Sequence, residues 1–103
     1  MAIERKLRFI IGAGGIEYIV TDDGKQVVRD IWETTDIATV ADWVAWLCCE
    51  YERNGRHYLS EFSITVTSKD TNLLRISGAI EAVIGNWFDS YPVETKSEFL
   101  IRE

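Results

Sequence analysis

The stretch Thr39–Gly55, TVADWVAWLCCEYERNG, constrains the fold more than any other part of this sequence. At 100° per residue it brings Val40, Val44, Leu47 and Tyr51 onto one stripe, with Trp43 and Cys48 on its shoulders. Segments of strand character flank it on both sides, so the stripe is expected to lie on a sheet. Thr39 is the expected N-cap, and Asp42 places a negative charge in the first turn, where the helix dipole favours it. Asn54-Gly55 supplies the stop signal, giving a helix over 40–54. The opposite side carries Asp42, Cys49 and Arg53. Trp46 also falls there, the one large apolar residue that the pattern leaves outside the stripe.

The segments before the helix read as an antiparallel meander. Lys6–Ile11 is apolar and β-branched, and Gly12-Ala13-Gly14-Gly15 ends it. Ile16–Thr21 alternates as a second strand. Asp22-Asp23-Gly24-Lys25 is a hairpin turn in which Gly24 supplies a positive φ, and Gln26–Trp32 is the third strand. After the helix, Tyr58–Ser68 alternates Phe62, Ile64 and Val66 against Ser63, Thr65 and Thr67. Leu73–Ser77 admits two readings. It can return as a hairpin strand before a helix from Ala79 to Ser90, or one long helix can run from Thr71 to Ser90, because Leu73, Ile76, Ile80, Ile84, Trp87 and Tyr91 also fit a helical stripe. Gly78 inside such a helix costs ~1 kcal/mol, which favours the hairpin. Pro92 closes the segment, and Ser97–Arg102 reads as a short last strand. The expected fold is a single α+β domain over residues 1–103. In it a mainly antiparallel sheet of about five or six strands carries two helices on one face. Trp43, Leu47, Trp87 and Phe88 are expected to meet in its core.

Size supports that reading. A chain of 103 residues suits one domain, and an apolar share of 47% is enough to bury a core. Apolar runs are only a few residues long, far short of the ~20 that span a bilayer. The N-terminal MAIERKLRFIIGAGG has basic residues before an apolar run too short for a secretory signal, so a cytoplasmic setting is expected. The two cysteines, Cys48 and Cys49, are adjacent. A disulfide does not suit a vicinal pair, and no metal-ligand spacing is present, so both read as reduced thiols.

Charge points to a class of partner. The net charge is −6, and residues 17–52 hold nine acids against two bases. Such a surface disfavours direct nucleic-acid binding, which needs basic groups, and favours a basic protein partner through electrostatic steering. Motifs for chemistry are weak. The glycines at 12–15 precede a strand-like IEYIVT where a dinucleotide loop needs a helix, and Glu17 stands where the third glycine would fall. His57 is the single histidine and has only Arg56 and Tyr58 beside it. Glu50 and Glu52 point to different sides of the helix, and Asp22 and Asp23 lack the continuation of a calcium loop. No cofactor, metal or catalytic residue is therefore expected. The expected contact surface is Asp36, Asp42, Trp46, Cys49, Glu50 and Arg53, an aromatic anchor in an acidic surround. It suits a non-enzymatic inhibitory protein that blocks a basic or nucleic-acid-binding surface of a larger protein. A toxin-neutralising immunity protein of bacteria and a phage-encoded anti-defence inhibitor share that physics. A homo-oligomeric accessory domain is the alternative, followed by a small-ligand domain using His57 and the Gly12–Gly15 loop.

Overall fold

Alternation in the first strand decides the layering. In β1 (Ile3–Gly12), Arg5, Leu7, Phe9 and Ile11 are buried while Lys6 and Arg8 lie in solvent. The computed structural model describes residues 3–52, 57–87 and 94–99, with side chains described within 3–49 and 59–86. β2 (Gly15–Asp22) continues the inner face with Ile16, Tyr18 and Val20. The turn into β3 (Lys25–Trp32) has positive φ at both Asp23 (48°) and Gly24 (82°), the pair of values that a tight two-residue hairpin turn requires. The Asp23 N–H donates to the Glu4 carbonyl (2.8 Å) and its side chain accepts from the Glu4 N–H (3.0 Å), which pins the turn to the start of β1.

The rest of the chain supplies two helices and two strands: α1 (Ile37–Glu52), β4 (His57–Val66), α2 (Thr71–Trp87) and β5 (Glu94–Phe99). The sheet order is β3-β2-β1-β4-β5. Five strands fall within the expected number, but the sheet is mixed. β1 pairs antiparallel with β2, and β2 with β3, whereas β1/β4 and β4/β5 are parallel. The reason is the connections. A hairpin turn reverses direction, but a helix of 16 or 17 residues carries the chain back across the sheet before the next strand begins, and that geometry returns it parallel.

The hairpin expected at Leu73–Ser77 is replaced by the single helix α2. Leu73, Ile76, Ile80 and Ile84 are all buried on one side, and Gly78 faces outward, where its lack of a side chain costs no packing. Asp70 caps α2 by accepting from the N–H groups of Asn72 (2.8 Å) and Leu73 (3.3 Å). The expected N-cap of α1 also moves, from Thr39 to Asp36. Asp36 accepts from the Thr39 N–H, so the helix begins at Ile37, about a turn earlier than expected. The final strand lies at Glu94–Phe99, three residues ahead of its expected position.

α1 and α2 pack on each other and on β4, and α2 reaches β1. Both lie on the face that presents Phe9, Ile11, Ile16, Val20, Phe62 and Ile64, which meet Val40, Val44 and Leu47 from α1 and the apolar row of α2. Each such side chain contributes ~1.5–3 kcal/mol of burial before conformational entropy is counted. Leu47 is fully buried and Trp43 partly so; the Trp87 side chain, Phe88, Pro92 and the Tyr51 side chain lie outside the described residues. Among the described residues, no element covers the other face of the sheet.

Candidate functional site

The stripe that buries Val40, Val44 and Leu47 fixes what α1 turns outward. Asp42, Trp46 and Cys49 recur at helical spacing on the far side, and all three are exposed. Trp46 shows 56% of its surface, a large apolar cost unless something covers it. Cys48 is buried in the core and Cys49 is exposed. Glu50 follows Trp46 by one helical turn on the α1 backbone, but its side chain lies outside the described residues, as does Arg53 altogether. Asp36 stands at the N-terminal end of the same helix. Its carboxylate accepts from the Thr39 hydroxyl (2.7 Å) and the Thr39 N–H (3.0 Å). These two bonds, the hydroxyl first, hold its pKa below the ordinary value of 3.8. Asp36 is thus first a cap, and its remaining exposure adds a negative charge to the edge of the surface.

Beside Trp46 the sheet and the helix leave a cleft of about 430 Å³ lined by Tyr18, Asp30, Trp32, Trp43 and Trp46. Strand register builds its floor. Tyr18 on β2 stands opposite Asp30 on the edge strand β3, and Ile16 stands opposite Trp32, the last residue of that strand. Trp32 is therefore carried under the first turns of α1. Its ring lies 4.6 Å from that of Tyr18 and 5.0 Å from that of Trp43, tilted against both in arrangements that aromatic quadrupoles favour. Asp30 sits at the mouth. Its Oδ2 accepts from the Tyr18 hydroxyl (3.5 Å), and its Oδ1 from the Ile31 N–H (2.8 Å). The sequence singles out Trp46 but not this cleft, because Trp32 lies on a strand and Trp43, on the shoulder of the apolar stripe, is expected in the core. The i, i+3 pair Trp43 and Trp46 was the available signal: two indoles so spaced share one flank of a helix.

The other candidates separate in space. Gly12–Gly15 joins the far ends of β1 and β2, whereas His57 starts β4 opposite Ile3 at the near end of β1. Nine strand steps, ~30 Å, divide them, so the loop and the histidine do not form one site. The glycines have a packing role instead. Gly15 has φ 130°, and a side chain there would run into the Trp32 carbonyl; one at Gly12 would press on the Thr67 hydroxyl. Asp22 belongs to the structure too. It takes Arg5, whose side chain points inward on β1, in a two-pronged pair at 2.6 and 3.0 Å. Among the described residues no three metal-ligating side chains cluster, and no helix is long and apolar enough to cross a membrane.

No protein-family model and no curated protein matches the sequence. Among solved structures, the chain is similar to a Bacteroides thetaiotaomicron protein of unknown function with an actin-like ATPase fold. That match has a TM-score of 0.51 at 9% identity and covers 94% of this chain and 33% of the other. The chain is also similar to an Aquifex aeolicus PPX-GPPA enzyme, with a TM-score of 0.49 at 10% identity over 94% of this chain and 36% of that one. It spans about a third of the length of each. The first likeness shows a shared fold: this α+β arrangement also occurs within an actin-like ATPase fold.

Proposed function

We propose that this chain is a non-enzymatic binding protein that occludes a basic surface of a larger protein, with the outer face of α1 as its contact. The exposure of Trp46 beside Asp42 carries the reading. Interface anchors are enriched in tryptophan, and an indole beside carboxylates matches a surface rich in Arg and Lys. Nine acids against two bases over residues 17–52 steer such a partner toward this part of the molecule. A nuclease toxin neutralised by an immunity protein, and a host defence complex blocked by a phage product, are the two settings that fit. Immobilised protein exposed to native-host lysate tests the idea, with the captured partner's activity measured with and without added protein. Trp46→Ala is expected to weaken capture at least ~10-fold, and Asp42→Asn and Glu50→Gln by smaller factors. Equal capture by all three variants, or a captured partner whose activity is unaffected, sinks the proposal.

A second reading rests on a different observation. The sheet face that no element covers among the described residues shows Ile31 at 58% exposure. A homo-oligomeric accessory domain would cover that face with a second copy. Light scattering across a concentration series separates the two, since the inhibitory reading needs no self-association.

A further inference from the structure

We infer that the cleft lined by Tyr18, Trp32, Trp43 and Trp46, with Asp30 at its mouth, receives the guanidinium of an arginine side chain. This rests on the reading of α1 as a contact surface for a basic protein, and it names the group that the surface grips. Three features select the ligand. The walls are aromatic faces, whose negative quadrupoles attract a cation that approaches over the ring. A carboxylate stands at the mouth, and its Oδ2 faces the Tyr18 hydroxyl on the cleft side. An apolar occupant would leave that carboxylate facing hydrocarbon, which is unfavourable. The cleft also opens along the half-exposed ring of Trp46, the residue that leads from the cleft to Asp42 on the outer face of α1. A group entering there can remain attached to a protein that covers the helix.

Among cations, guanidinium fits better than ammonium. It is flat, stacks on indole and phenol rings, sheds water more easily than a lysine head, and can still direct N–H groups at a carboxylate. The Asp30 carboxylate has the capacity for this. Its oxygens offer about four acceptor positions, and among the described residues Ile31 and Tyr18 take two.

Titration of the intact protein with capped tripeptides reads the site without any partner. The signals are the indole Nε1–H resonances of Trp32 and Trp43 in nitrogen-15 spectra, assigned through Trp→Phe variants. A Gly-Arg-Gly peptide is expected to shift both with a Kd on the order of 1 mM. The citrulline peptide, the same shape without charge, is expected to bind at least ~10-fold more weakly, and the Gly-Lys-Gly peptide several-fold more weakly. Asp30→Asn, at an exposed position on an edge strand, is expected to weaken the arginine peptide ~5–10-fold, and Trp46→Ala to do the same from the opposite wall. Equal binding of the citrulline peptide overturns the proposal, as does the absence of shifts at tens of millimolar. Tighter binding of tetramethylammonium than of the arginine peptide overturns it in favour of a quaternary-ammonium cage. The outcomes also separate the two proposals. Peptide binding without partner capture refutes only the occlusion reading. Capture that depends on Trp46 and Asp42 but survives Asp30→Asn refutes only the cleft.

Discussion

Single side chains at the borders of this molecule do work that their composition disguises. Asp36 is a helix cap whose two bonds to Thr39 favour its charged form. A carboxylate with a lowered folded pKa contributes stability that is fully present above its unfolded value, near 3.8, and that disappears as pH falls through the folded value. Urea midpoints measured from pH 7 down to pH 2.5 are expected to fall less steeply below about pH 4 for Asp36→Asn, which caps without a titrating charge. Asp22 shows the complementary case. It neutralises Arg5, a cation on the core-facing side of β1. Asp22→Ala removes this two-pronged pair and is expected to cost about 1.5–3 kcal/mol by chemical denaturation. Neither role could be read in sequence. The sequence puts Asp36 on the expected contact surface, and it gives Arg5 only as one of the basic residues at the N-terminus. Only the phase of the alternation, set by Leu7, Phe9 and Ile11, turns Arg5 inward.

At the scale of elements, local signals were strong where contacts are local. The β1–β2–β3 meander and the buried stripe of α1 both followed from turn residues and periodicity, because a hairpin and a helix face are defined within a few residues. The parallel pairings were not legible. Nothing within β4 states that its neighbour will be β1, some fifty residues earlier, rather than a returning hairpin strand. The cost of Gly78 favours a hairpin over α2 in the sequence, yet that cost is small beside the burial of four apolar residues along the helix's inner side. The position can be improved. Gly78 lies on the outer side of α2 with open space where a side chain would go. Gly78→Ala is expected to stabilise the protein by ~0.5–1 kcal/mol, read as a rise in the urea midpoint at constant m-value. A glycine in a hairpin loop would give no such gain.

Across the whole molecule, the two sides of the sheet differ in kind. One carries both helices; the other, which no element covers among the described residues, presents Lys6, Arg8 and Arg29, with Glu17 paired to Arg29 at 2.6 Å. The exposed face of α1 was legible in part, since Trp46 and Asp42 fall off the apolar stripe by simple counting. The cleft beside it was not, because it joins residues from β2, β3 and α1 through sheet register alone. If steering by the acidic half governs encounter, the association rate with the captured partner is expected to drop about tenfold between 50 and 500 mM salt while the dissociation rate changes little, as stopped-flow mixing can show. The central place of β1 has a last consequence, for the nascent chain. On the ribosome the meander is complete once Trp32 emerges, but the rim of β1 that will pair with β4 stays bare until His57–Val66 follows. At ~5–20 residues per second, that leaves an unsatisfied strand template open for roughly two to seven seconds. Translation speed across α1, and any chaperone waiting at the exit tunnel, therefore bear on the yield of this protein.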